Sequence, residues 1–350
     1  MAIATSRLAA AVLAVISTAS LAACGGSSDS SGGDGAGGSV SVMFPFPDSI
    51  IWTGYEVARS SIYPELGLEP KTVAGDGNSS TIQQLAAGKV PFAVSGAAEL
   101  IEAAAQGRDL VGIANLNADL FSIRAVAGSN VTSVEDLKGK NLGVPSMSDG
   151  VIPLVKAALA AAGLTPNEDV SLVVVGDAGP AVAQALESGK IDALAGAIPD
   201  VAAMAASGVE LTPILSDEFT GIPSNEIVVT RETLEDPEAL EQAIDFAAGW
   251  FAGVLAAQSD PTGSLAGICK LVPSNCEDMS TATSLFDAAV GIQAGPAAAA
   301  GEHDLAKFET VRDTILGESL TDADSVDLSK VFTNDYVSQI KEAMAKGSAS

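Results

Sequence analysis

The sequence is short of the residues on which most catalytic and metal chemistry depends. Among 350 residues it has one histidine, His303, and three cysteines, Cys24, Cys269 and Cys276. A Ser–His–Asp triad or a multi-histidine metal site would rest on His303 alone. Its context, Gly301-Glu302-His303-Asp304, reads as plain polar surface. No two cysteines stand at C-x-x-C spacing, which removes zinc-ribbon and thioredoxin-type sites, and no metal is expected. Positive charge is scarce too: 17 Lys and Arg against 44 Asp and Glu leave a formal net charge of −27. Such a surface repels phosphate backbones and anionic headgroups, so neither nucleic-acid binding nor electrostatic membrane docking is expected. The charge of a bound solute stays open, because a site is a local arrangement. Aromatic residues are 4% of the chain, whereas Ala and Gly are abundant and 47% of residues are hydrophobic. That balance suits tightly packed α/β layers. The chain is also long for one core, so two lobes are expected.

The N-terminus reads as an address. Arg7 precedes an apolar run over 8–16, and small residues lead to Leu21-Ala22-Ala23-Cys24. A charged start, a short apolar core and a small-residue exit are the parts of a secretory signal. The run is too short for a spanning helix. The Leu-Ala-Ala-Cys quartet looks like a bacterial lipobox, in which Cys24 is acylated (diacylglyceryl and palmitate) and becomes the new N-terminus. Residues 1–23 are therefore read as a lipoprotein signal peptide. Residues 24–39, nearly all Gly, Ser and Asp, are read as a flexible tether. The expected location is extracytoplasmic, anchored to the cell membrane. With Cys24 lipidated, Cys269 and Cys276 remain as a pair in an oxidising compartment, and a structural disulfide is expected.

The body alternates strand and helix patterns. Strands are read at 40–44, 71–74, 91–94, 110–115, 121–127, 141–145, 170–175, 191–197 and 226–230. Helices are read at 50–63, 81–87, 97–106, 151–162, 180–188 and 199–207, and the chain beyond 230 reads as mainly helical. Alternation of this kind implies parallel sheets covered by helices on both faces, with ligands beyond the C-terminal strand ends. Those ends carry the turns 75–80, 95–97, 146–150 and 176–179, rich in Gly, Ser, Asp and Asn. Such turns present backbone N–H groups and hydroxyls to a polar or anionic group, and they also cap helices. No dinucleotide fingerprint or P-loop is present, so no nucleotide cofactor is expected.

Three segments carry a resemblance: Leu85-Ala86-Ala87-Gly88-Lys89-Val90-Pro91-Phe92-Ala93-Val94, the stretch S-V-E-D-L-K-G-K-N-L-G-V-P at 133–145, and Ala185-Leu186-Glu187-Ser188-Gly189-Lys190-Ile191-Asp192-Ala193. In order and spacing, residues 40 to about 260 resemble the ABC-importer binding proteins for nitrate, alkanesulfonates, taurine and thiamine pyrimidine precursors. Pro91 departs from the Asp that the family often has there. The resemblance implies an α/β, two-lobed type II periplasmic-binding fold, each lobe a mostly parallel sheet flanked by helices, joined by two crossing strands. Lobe 1 would be 40–127 plus 225–350 and lobe 2 would be 128–224, with crossings near 124–128 and 224–229. It also implies a monomer that captures a small solute by hinge closure and delivers it to a permease and its ATPase.

By position, the pocket is expected to draw on Phe46, Asp48 and Trp52, on Ser79, Ser80 and Gly96, and on Ser146, Ser148 and Asp149. Arg124 is the cation expected nearest the cleft. It can pair with a carboxylate or sulfonate, or tie the hinge to an acidic neighbour. Phe46 and Trp52 can stack on a ring or pack within the lobe. A small organic anion (a sulfonate or carboxylate, aromatic ones included) is the first expectation, a neutral heterocycle such as a pyrimidine the second, and a surface sensor a further alternative. A pyrimidine synthase of related fold works in the cytosol with its own histidine and a lysine-bound pyridoxal phosphate. The lipobox and the single His303 argue against that, so no enzyme is expected.

Overall fold

Burial along the strands shows why these segments pair. The computed structural model describes residues 38–147, 149–176, 179–317, 320 and 325–347. Ten strands are described: β1 (Gly38–Phe44), β2 (Leu68–Ala74), β3 (Phe92–Gly96), β4 (Leu110–Asn115), β5 (Phe121–Val126), β6 (Asn141–Val144), β7 (Ser171–Val174), β8 (Ala193–Ala197), β9 (Leu211–Pro213) and β10 (Asn225–Thr230). In β1, Val40, Val42 and Phe44 enter one core, while Met43 enters the core on the opposite face. β10 divides likewise, with Ile227 and Val229 on one side and Val228 on the other. A period of two with both faces apolar is what a strand needs when helices cover the sheet on both sides.

The strands form two five-stranded sheets of the same plan, β2-β1-β3-β10-β4 and β7-β6-β8-β5-β9. In each, the first three strands run parallel, and the fourth runs antiparallel to both its neighbours. That fourth strand is always the first one the chain makes on arriving from the other lobe. β5 therefore belongs to the second sheet, paired with β8 from Phe121↔Ala197 to Ala125↔Ala193. The first crossing accordingly precedes β5, upstream of the position read from the sequence.

The first lobe carries α1 (Thr53–Ser60), α2 (Ile62–Glu65), α3 (Gly77–Ala86) and α4 (Ala97–Ala105), and the second α5 (Ile152–Ala161), α6 (Pro180–Glu187) and α7 (Ile198–Ala206). The C-terminal region adds α8 (Arg231–Glu235), α9 (Pro237–Ser259), α10 (Pro261–Leu271), α11 (Met279–Ala299), α12 (Leu305–Thr310), α13 (Leu328–Val331) and α14 (Val337–Gly347). A π-helical turn, Val311–Leu316, continues α12. The helix expected over 50–63 is broken: a 3-10 turn at Ile50–Trp52 precedes α1, and Ser61 at φ −147° separates α1 from α2. α1 and α9 cross at closest approach through glycine, where a Cβ on Gly253 would stand 2.1 Å from the Gly54 carbonyl oxygen. No helix of the described residues is long and apolar enough to cross a membrane.

Cys269 and Cys276 are joined, with Cα atoms 5.6 Å apart, tying the end of α10 to the following 3-10 turn. Cys24 lies outside the described residues. His303 overturns an expectation, for it is buried rather than on the surface. Its Nε2 stands 2.7 Å from Glu226 Oε2 on β10, and its Nδ1 is 3.1 Å from both Thr333 O and Asn334 Oδ1. A polar tetrapeptide gives no sign of this, because the partners come from residues 77 and about 30 positions away. Burial opposes charge on the imidazole, but the Glu226 carboxylate and the hydrogen bonds the ring donates to Glu226, Asn334 and Thr333 carry its pKa above the ordinary histidine value.

Candidate functional site

Two short chain segments join the lobes, at 116–120 and 222–224. They are bonded to each other and to the end of β10: Leu116 N donates to Asn225 O at 2.8 Å, Ser224 N to Asn117 O at 3.1 Å and Asp119 N to Ile222 O at 2.8 Å. The Asp119 carboxylate returns the link, accepting from Ile222 N at 3.0 Å. Asp119 itself sits at φ +57°. This is a compact double crossing with little chain to bend, which suits a hinge.

A cleft of about 700 Å³ lies between the lobes beside this crossing. On the first-lobe side its walls include Phe46, Trp52, Asn78, Ser79 and Glu99, on the second-lobe side Ser146, Asp149 and Pro199. Phe121 and Asn225 stand at the crossing, and Ile292 of α11 closes one end. Four helices, α3, α4, α5 and α7, begin at or beside it, each directly after a strand or turn of its own sheet. Their first N–H groups and positive dipole ends are thus directed to one space.

Carboxylates counter that field. Asp76 precedes α3, Glu99 lies in the first turn of α4, and Asp149 precedes α5, where its Oδ1 accepts from Val151 N at 2.8 Å. Four helix ends amount to roughly two units of positive partial charge, so three carboxylates outweigh them. The described lining contains no Lys, Arg or His. Asn78 Nδ2 donates to Glu99 Oε1 at 3.5 Å, and Asn78 Oδ1 is buried with no hydrogen-bond partner among the described residues. Burial pushes the Glu99 carboxyl above the ordinary value, with the nearby Glu102 adding to it, while bonds from its own backbone and from Asn78 pull the other way. Both side chains offer acceptors, so the pair calls for an N–H or O–H donor from outside.

Gly96 makes this pair possible. A Cβ there would stand 1.9 Å from Glu99 Oε2 and 3.0 Å from Asn78 Nδ2. Its backbone, at φ −76° and ψ 144°, is ordinary extended geometry, so the glycine supplies room rather than conformational freedom.

Of the residues expected from sequence, Phe46, Trp52, Ser79, Ser146 and Asp149 line the cleft, and Gly96 lines a smaller pocket adjoining it. Trp52 is 3% exposed and packs edge-on against Phe44 and Trp250, whereas Phe46, 50% exposed, stacks over it with ring centroids 6.5 Å apart. Asp48 instead binds Arg59, beside a separate cavity under α2. The Ser80 hydroxyl accepts from Gln84 within α3 and is not among the cleft walls. Arg124 is likewise absent from the walls; its guanidinium donates to Ser122 Oγ at 3.2 Å and Leu211 O at 3.5 Å, with no carboxylate partner among the described residues. Ser148 lies outside the described residues. Sequence reasoning missed Asn78, Glu99, Phe121 and Asn225. Asn78 lay inside the expected turn 75–80 without being singled out, and Glu99 was hidden one helical turn past the Ser95-Gly96 turn.

A profile of known families matches residues 54–264, described as NMT1/THI5 like. The chain belongs to the NMT1/THI5-like family. Among solved structures, the family fold is shared with the periplasmic sulfonate-binding protein SsuA of a putative sulfonate ABC transporter from Methylobacillus flagellatus KT, at 15% identity and TM-score 0.61, covering 89% of this chain and 96% of that one. The periplasmic aliphatic sulphonate binding protein SsuA from Escherichia coli matches at 19% identity and TM-score 0.55, covering 71% and 78%. The desulfurization enzyme DSZB matches at 17% identity and TM-score 0.57, covering 87% and 99%. At these identities the likeness shows the two-lobed periplasmic-binding fold, a frame that serves binding proteins and an enzyme alike. No curated protein matches the chain.

Proposed function

We propose that the protein is the extracytoplasmic solute-binding component of an ABC importer, lipid-anchored through Cys24, which closes about its hinge on a small ring-bearing solute rich in hydrogen-bond donors. One observation carries the solute class: the Asn78–Glu99 acceptor pair in a cleft that has an exposed aromatic face at Phe46 and no cation among its described walls. A neutral heterocycle of the pyrimidine kind satisfies such a site through exocyclic amino donors. It brings no charge of its own into a cleft whose described walls offer no counter-cation. A small organic anion is the second reading, favoured by the four helix N-termini and by the sulfonate-binding relatives. The absence of catalytic function is part of the same proposal. It is supported by the lipobox and by His303, whose ring is engaged with Glu226 in the first-lobe core.

A thermal-shift screen of the mature protein with aminopyrimidines, alkanesulfonates and aromatic carboxylates tests the reading. A solute at 100 times Kd stabilises the folded state by about 2.7 kcal/mol, a shift of several degrees. Aminopyrimidines are expected to give the largest shift. A larger shift with sulfonates moves the conclusion to the second reading, and no shift with any panel overturns both. Recovery of the bound solute unchanged by mass spectrometry is expected, and turnover refutes a pure binding role. Membrane fractionation of wild type and Cys24→Ala checks the anchor, which should be lost in the variant.

A further inference from the structure

A second pocket, of about 190 Å³, adjoins the cleft on the side of Glu99. The two spaces share Asn78, Glu99, Phe121 and Asn225 as walls, so they meet at the acceptor pair. Beyond those shared walls the lining is mostly apolar, with Leu154 of α5, Phe219 and Ile222 before β10, and Val311, Ile315 and Leu316 of the π-helical turn. It also includes the carboxylates of Glu102 and Asp119. Both lobes therefore contribute. Val311 and Leu316 belong to a first-lobe core with Phe308, while Ile315 packs against the core of the second lobe. A π-turn is a rare backbone choice that recurs at functional sites. Here it sets apolar side chains across the gap between lobes, where a regular helix would present a different face. In size the pocket exceeds the roughly 150 Å³ apolar cavity that is known to hold a benzene ring.

We infer that this pocket is a subsite for an apolar arm, of phenyl or short-alkyl size, on the same solute whose polar head occupies the cleft beside Asn78 and Glu99. The inference rests on the solute-binding reading above, but not on which head class is correct. An arm as the occupant follows from the layout: the pocket meets the head site at Asn78 and Glu99, and the rest of it is mostly apolar and walled by both lobes. Closure would bury the arm between Leu154 and the π-turn, so arm binding and hinge closure reinforce each other.

The test uses matched probes on the full mature protein: 4-aminopyrimidine against 5-benzyl-4-aminopyrimidine, and methanesulfonate against phenylmethanesulfonate. Calorimetric titration should show the armed member of at least one pair binding tenfold or more tightly than its parent, the gain expected from burying a ring. Ile315→Trp, which fills the pocket, should abolish that gain while shifting the parent's Kd less than twofold. Ala98→Leu fills the same space from α4 and replaces it should Ile315→Trp fail to fold. Equal affinity within both pairs, or equal weakening of parent and armed probe by the filling variants, overturns the arm subsite and leaves the binding role standing. Failure of all four probes to bind refutes the solute-binding reading and the inference with it.

Discussion

Replacing Gly96 with alanine separates the site from the fold. The new methyl would overlap Glu99 Oε2 at 1.9 Å and press on Asn78 Nδ2 at 3.0 Å, so the carboxylate must leave its place beside Asn78. The backbone accepts alanine without strain at φ −76° and ψ 144°. Stability should change by less than about 1 kcal/mol, since reduced freedom of the unfolded chain offsets the poorer helix cap. Affinity should change far more. A hydrogen bond to a charged acceptor contributes about 1.5–3 kcal/mol, so losing it weakens the best solute of the screen by roughly ten- to a hundredfold. Glu99→Gln keeps the shape and removes the charge, and it should fall between wild type and Gly96→Ala. Titration calorimetry with parallel melting curves reads both quantities. Wild-type Kd in Gly96→Ala, with Glu99 seen displaced in its crystal structure, would refute the reasoning outright.

Arg124→Ala should change solute Kd less than twofold, because its guanidinium is spent on Ser122 and Leu211 in the second sheet; a tenfold loss by calorimetry would return it to the site. His303→Gln should cost about 3–5 kcal/mol in urea unfolding, since it leaves the Glu226 carboxylate buried without its imidazole partner. The raised His303 pKa means its stabilisation is full below about pH 6.5 and is lost as pH rises through the folded value, which a pH series on wild type and variant checks. Glu56, fully buried beside Arg59, has its carboxyl pushed by burial up to about 7 from 4.5. Its contribution is therefore present below pH 4.5 and lost towards pH 7, a change of about 3 kcal/mol. Glu56→Gln should flatten that decline in melting temperature, and parallel slopes for the two proteins would contradict it.

The two-lobed plan was legible because strand runs such as Val40–Phe44 and Glu226–Thr230 carry their own burial pattern and their bounding turns. Short β9 escaped notice, for three residues ending in Pro213 carry too little pattern to read. The crossing was misplaced because β5 looks the same in either lobe; only its pairing with β8 and β9 assigns it. At the cleft, the turns 75–80 and 146–150 marked strand ends that border it and gave Ser79, Ser146 and Asp149, whereas Gly176 and Gly179 of the fourth turn are not among its walls and the start of α7 is. Glu99 and Asn78 were not legible as a pair, since the space that joins them is created by a missing side chain on Gly96. Arg124 was placed near the cleft by the expected crossing, with a ligand or an acidic hinge neighbour both open as its partner, whereas in the second sheet its guanidinium is bonded to Ser122 and Leu211.

The interleaved sheet order also dictates the sequence in which the lobes can finish folding. β3 and β4 are complete by residue 115, yet the strand that lies between them is made only at Asn225–Thr230. Until it arrives, both hold open edges that invite pairing with another chain. The second sheet is contiguous from Phe121 to Pro213 and needs nothing from outside that span to close. The middle of the chain thus sets first, and the sheet begun before it waits for a single later strand to be inserted among its own. Such a long-range step is slow compared with local pairing, and pulse-labelled amide exchange during refolding would find β5–β8 protected before β3 and β4.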